Sequence, residues 1–293
     1  MKAIFKKELR ALLGGLRGWG YAAIVLLGAA VSVIVTNLMG ATTRFELNAV
    51  YIALSMIPAT AIAATDAFHG ERRNNTERIL YSLPLKNTDI VIGKMLALIV
   101  PVLIAAAGLC IFPLLLLPFG MVHFGPALAV ILALTVLGVA MMAAGLLMSA
   151  CTPNRFAAAA ATIAVLAASW AAPYLADMIA GTSQLTMVMM LAFMLVAFTA
   201  TYLLSGSAYL GIAAAAVVEV PTLLAYLQGT GADYMQKLAG SVEALDLFAG
   251  LNPYVNGLLD GSALIGWLAV ATLFTFAAVL CTANRRQAKR RAL

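Results

Sequence analysis

Charged residues are scarce in this chain, at 10% of its 293 residues against about 25% in soluble domains, while 63% are hydrophobic and the mean hydropathy is +1.00. That deficit excludes a solvated globular domain and indicates a polytopic membrane protein. Cysteine is also rare. Cys110, Cys151 and Cys281 are odd in number and lie in or beside apolar runs, which argues against a disulfide framework or a thiolate-rich metal site and leaves them as small apolar residues. A nucleotide-binding cradle is missing too: the Gly93-Lys94 pair is followed by Met95, and Thr88 stands where the first glycine of the phosphate loop belongs. The two histidines, His69 and His123, are far apart in topology, and no HExxH occurs, so neither a metal pair nor a hydrolase dyad is indicated. The chain reads as having no enzymatic activity and no cofactor of its own. Nor does the net charge of +6 indicate a nucleic-acid partner, because the basic residues border apolar spans instead of sharing one solvent face.

What is present is a series of apolar runs, each long enough to cross the roughly 30 Å hydrocarbon layer as a helix. Eight are expected, at about 19–40, 47–68, 95–117, 127–150, 156–176, 185–204, 208–227 and 264–283. Only Ser205-Gly206-Ser207 separates the sixth from the seventh, so this pair reads either as two spans or as a re-entrant hairpin. With the N-terminus placed in the cytoplasm, sixteen of the 18 Lys and Arg residues fall inside and only Arg44 and Lys237 outside, which puts both termini in the cytoplasm. The first 18 residues carry Phe5, Leu9, Leu12 and Leu16 at helical spacing, with Lys2, Lys6 and Arg10 on other faces, and are expected to lie in the interface plane as an amphipathic helix. A cleavable signal peptide fits less well, because the apolar run that follows is too long. Residues 19–293 then form a single transmembrane domain.

Residues 69–94 make the one sizeable polar loop on the inner side. It has an internal order. Asn74 followed by Glu77 resembles a helix capping box, Ile79, Leu80 and Leu83 form a small apolar face, and Pro84 stops the helix. Such a segment is suited to being gripped by a soluble partner. On the outer side, residues 233–260 suggest two short helices, with Tyr234, Leu238, Leu245 and Phe248 before a break at Asn252-Pro253, and Val255, Leu258 and Leu259 after it. These helices either gate the outer end or merely cover it.

Glu219, in the seventh run beside Pro221, requires an account, since a mid-bilayer charge costs roughly 2.5–3.5 kcal/mol on insertion scales. It reads either as a substrate or proton contact or as a neutral carboxyl bonded to a carbonyl that Pro221 leaves free. Small residues such as Ala143-Ala144-Gly145 and residues 157–161 read as helix-packing surfaces, and Pro58, Pro101, Pro113 and Pro173 as sites of kinks.

Four stretches together carry a resemblance. They are the basic amino helix Phe5-Lys6-Lys7-Glu8-Leu9-Arg10, the loop from Glu71-Arg72-Arg73 through Leu83-Pro84 to Gly93-Lys94, the turn Thr152-Pro153-Asn154-Arg155, and the carboxyl portion from Leu247-Phe248 through Asn256-Gly257-Leu258-Leu259-Asp260 to Arg285-Arg286. In these the chain resembles the permease subunit of an ABC-2 type exporter, closest to the GldF/NosY-like branch. The resemblance implies an all-α bundle with a six-helix core, here joined by an extra helical pair, and an N-terminal connecting helix. It also implies that residues 76–83 form a coupling helix. Glu71, Arg72, Arg73, Thr76, Glu77, Arg78, Ile79, Leu80, Leu83 and Pro84 would then engage a separate cytoplasmic ATP-binding subunit. A second permease chain, ATP held by the partner subunit and a place in a bacterial cytoplasmic membrane follow from the same resemblance. An ion-coupled secondary transporter and a non-transporting membrane scaffold are the rival readings.

Overall fold

The structure is a computed structural model that describes residues 2–73, 86–152, 154–181 and 231–291. Every regular element among these residues is helical. They are α1 (Lys2–Leu13), α2 (Leu16–Val33), α3 (Ala49–Ala64), α4 (Asp66–Arg73), α5 (Asn87–Leu109), α6 (Ile111–Leu116), α7 (Phe124–Cys151), α8 (Arg155–Gly181), α9 (Gly231–Glu243), α10 (Asn252–Val255) and α11 (Gly261–Arg291). Short π and 3-10 turns join some of them. Six stretches among the described residues are long and apolar enough to cross a membrane: Leu16–Leu38, Phe45–Glu71, Asn87–Phe119, Phe124–Cys151, Arg155–Asp177 and Gly261–Asn284. Each overlaps one of the expected runs. The expected sixth and seventh runs lie outside the described residues.

The boundaries differ most at the third span. Its helix starts at Asn87, not at residue 95, because Lys86 is extended and the first turn closes on its carbonyl, with Asp89 at the positive end of the helix dipole. Hydropathy alone trims this polar first turn away. The same span has a joint at Cys110: Pro113 has no N–H to donate to Leu109, so the helix breaks between α5 and α6.

By backbone contacts the chain divides into two units, residues 1–167 with 247–293, and residues 168–246, so α8 contributes to both. In the first unit α7 is the central helix, with 72% of its most apolar window buried, against 17% for α11. It packs on α3, α5 and α11, while α2 packs on α3 and α5. Small residues allow this closeness, since lipid supplies no hydrophobic drive between helices and association rests on van der Waals contact. Ala143 and Ala144 are buried, and a Cβ placed on Gly145 would lie 2.6 Å from the Ala64 Cβ. Similarly, a Cβ on Gly28 would lie 2.4 Å from the Ser55 Cβ, which pins α2 against α3. Of the alanines in 157–161 only Ala158 is fully buried, so that stretch packs along a single face.

At one end of the unit a polar knot closes the α2–α3 connection. Asn48 donates to the Asn37 Oδ1 at 2.6 Å and to the Phe45 carbonyl at 3.0 Å, Thr36 donates to the Asn48 Oδ1, and Asn37 donates to the carbonyls of Thr42 and Arg44. Both asparagines are buried with their polar atoms paired, and Glu46 beside them is bonded to Arg44 at 3.0 Å. Nearby, α10 is only four residues long and Leu258 and Leu259 stay exposed, so the second outer helix is shorter than expected. Tyr254 stacks on Trp267 at 6.2 Å and donates to the Asp260 carbonyl. The Asp260 carboxylate accepts from the Ser262 hydroxyl and N–H at 2.7 and 2.8 Å, and these bonds hold its carboxyl below the usual range. In the second unit, Ser169 donates to the Leu245 carbonyl at 2.8 Å and Trp170 meets Tyr174 at 5.5 Å.

Candidate functional site at the basic end of the bundle

The opposite end of the first unit gathers α1, the starts of α2, α5 and α8, and the ends of α7 and α11 around α4. The centre of this end is a lysine. Lys94, two turns into α5, is 1% exposed, and its Nζ lies 2.9 Å from the Glu8 carboxylate and 3.1 Å from that of Glu71. It also donates to the Ala67 carbonyl at 2.5 Å and sits 5.1 Å from the centre of the Phe68 ring. Lys7 bonds Glu71 from the other side at 2.7 Å. Two lysines and two carboxylates thus balance, which is what a desolvated cluster requires. Burial works against the charged form of Lys7, but the hydrogen bond and charge of Glu71, aided by Glu8, overcome it and raise its pKa above the ordinary 10.5.

The same end has a second charged centre. Asp66 opens α4 and is held by Arg17 of α2 at 2.5 Å and Arg155 of α8 at 3.2 Å. Between the two centres Glu8, Arg17, Asp66 and Lys94 surround a cavity of about 20 Å³, room for one water molecule. Further along α4, His69 lies with Nδ1 2.8 Å from the Thr65 carbonyl and Nε2 3.2 Å from that of Thr152. Ser149 donates to the Thr65 carbonyl at 2.8 Å and accepts from the Phe68 N–H at 3.3 Å, so α4 is stapled to the end of α7. Finally, Arg286 of α11 donates to the Asn87 side chain at 3.0 Å, at the first residue of α5.

The sequence-predicted residues fall into three groups here. Glu71 lies in α4 and is 7% exposed, inside the ionic cluster. Arg72 and Arg73 end α4. Thr76, Glu77, Arg78, Ile79, Leu80, Leu83, Pro84 and the intramembrane Glu219 lie outside the described residues. Of the expected loop 69–94, residues up to Arg73 belong to α4 and those from Asn87 to α5, and residues 74–85 lie outside the described residues.

The face of α1 that meets the protein also differs from the expected apolar stripe. Ile4 and Leu12 are buried with Glu8 between them at helical spacing, whereas Phe5 and Leu9 are half-buried and Leu16 is 90% exposed. A break at Gly14-Gly15 separates Leu16 from α1 altogether. The roles of Glu8, Arg17, Asp66, Lys94 and Arg155 were not apparent from the sequence. A signal existed for two of them: Glu8 interrupts an i, i+4 apolar series, and Lys94 lies inside what proves to be a continuous helix.

The profile of the ABC-2 family transporter proteins matches residues 2–283. No curated protein and no solved structure gives a significant match. Six membrane-length helices among the described residues and a family match running from α1 to the last of them lead to one conclusion: this chain belongs to the ABC-2 transporter family and is a multi-pass membrane transport component.

Proposed function

We propose that the chain is the permease subunit of an ATP-driven ABC-2 exporter of the GldF/NosY-like branch, with the segment between α4 and α5 docking on a separate cytoplasmic ATP-binding subunit. ABC-2 permeases normally work with such a subunit. The observation that carries the reading is the buried Lys94 with its two carboxylates. It joins both stems of the polar loop, Glu71 before it and Lys94 after it, to Glu8 of the amino helix. A displacement of the docked loop then has no slack to take up: α4 follows α3 after the single residue Thr65, and α5 is continuous to Leu109.

In this account Ile79, Leu80 and Leu83 fill an apolar cleft of the ATPase, with Arg72, Arg73, Glu77 and Arg78 around it and Thr76 and Pro84 bounding the helix. Glu71 serves behind the surface, as an anchor of the stem. Two permease chains and two ATPase chains complete the transporter, ATP is bound by the partner alone, and both termini face the cytoplasm of a bacterial cell. The excess of Lys and Arg on the loop side supports that orientation.

Leu80→Asp tests the docking. It places a charge in the centre of the apolar face and is expected to abolish co-purification of the ATP-binding subunit, while the chain stays inserted with an unchanged thermal midpoint. Undiminished co-purification would refute docking through this face.

A further inference from the structure

Beside the ionic centre an open groove of about 720 Å³ runs along the start of α2, between α1, α3 and the start of α8. Short side chains make the space: Gly20 and Ala23 line it, and a Cβ added at Gly20 would meet no atom within 4 Å. Ile24 and Ile62 give it apolar walls, and Arg17 and Arg155 close one end. The charges at that end do not cancel. Two guanidinium groups share the single carboxylate of Asp66, leaving one positive charge over, and each arginine side chain is about half exposed (40% and 47%) while that of Asp66 is covered (7%). Each guanidinium carries five N–H donors and spends one nitrogen on Asp66, so donors remain for another acceptor. Trp19, 56% exposed with its indole N–H on the Leu13 carbonyl, marks this level as the membrane–water boundary, where amphipathic rings settle.

We propose that this groove is a binding site for an anionic phospholipid: Arg17 and Arg155 hold the phosphate, and one acyl chain lies along Gly20, Ala23, Ile24 and Ile62. The charge decides the class of lipid. One unbalanced positive charge matches a phosphodiester without a headgroup cation, whereas the ammonium of a zwitterionic lipid would be brought up to two guanidinium groups. The volume lies within the roughly 300–1,000 Å³ of small-molecule sites, and the apolar wall faces the depth at which an acyl chain begins. Bound there, the lipid would join the starts of α2 and α8 through their arginines without displacing Asp66. The site does not depend on the loop docking on an ATPase.

Native mass spectrometry of the purified full-length chain tests the proposal, by titration with phosphatidylglycerol, phosphatidylcholine and inorganic phosphate. The expected result is at least about tenfold tighter binding of phosphatidylglycerol than of phosphatidylcholine, with no displacement of the bound lipid by millimolar phosphate. Gly20→Leu fills the groove while leaving both arginines and Asp66 in place, and is expected to weaken phosphatidylglycerol binding about tenfold or more at an unchanged thermal midpoint. Ala23→Phe should do the same and guards against misfolding of the first variant. Equal affinity for the two lipids, binding unaffected by filling the groove, or full competition by inorganic phosphate would each overturn the proposal.

Discussion

At the scale of single residues, a lysine buried inside a membrane span persists only if opposite charge is built around it. Lys94 has Glu8 and Glu71 within 3.1 Å, a backbone carbonyl and an aromatic face. Removing one member of such a cluster leaves the others uncompensated, which costs roughly 3–5 kcal/mol when the group is fully buried. Lys94→Met is therefore expected to lower the thermal midpoint of the purified chain sharply. Adding Glu8→Gln to that variant should recover part of the loss, because Lys7 alone is then left to balance two carboxylates and the change withdraws one of them. A double variant no more stable than the single one would show that Glu8 and Lys94 do not act on each other. Only a trace of this was legible beforehand, in the charge of Glu8 between Ile4 and Leu12 at helical spacing. Lys94 and Glu8 are far apart in the chain, and a charge at the border of an apolar run reads as the end of a loop until the helix that carries it is seen to begin at Asn87.

Among the elements, legibility followed the length of the apolar signal. The six spans among the described residues were recognisable because about 20 consecutive apolar residues have few alternatives to a transmembrane helix. Their ends were not, since polar opening turns such as the two in 87–94 look like loop, and the joint at Cys110 depends on a proline three residues on. The small-residue stripes were legible as packing surfaces but not as specific partners. Gly145 proves to face Ala64, with no room for a side chain. Gly145→Leu should separate α7 from α3 and cost about 1–3 kcal/mol, read as a lowered thermal midpoint. An unchanged midpoint would mean that these helices do not approach as closely as described. The Asn37–Asn48 knot gave no warning in the sequence, because two polar residues at the ends of neighbouring spans resemble ordinary loop positions.

For the whole molecule, the basic end is where ion pairs and hydrogen bonds tie many helix ends to one another. Helices α1, α2, α4, α5, α7, α8 and α11 all contribute to the bonds around Lys94, Asp66, His69 and Asn87. The polar loop leaves from the middle of this assembly, so what grips the loop would move helix ends together. The charge bias toward this end carries the expected orientation and the loop composition the proposed docking segment, whereas the contacts that tie both stems of the loop to the amino helix required the three-dimensional structure. Cross-linking in intact cells tests the claim most directly, using Leu80→Cys in a chain whose three native cysteines are replaced, together with a short bifunctional reagent. The account predicts a covalent adduct with a soluble subunit that carries a glycine-rich phosphate loop. Adducts formed only with proteins on the far side of the membrane, or none with any nucleotide-binding chain, would contradict it.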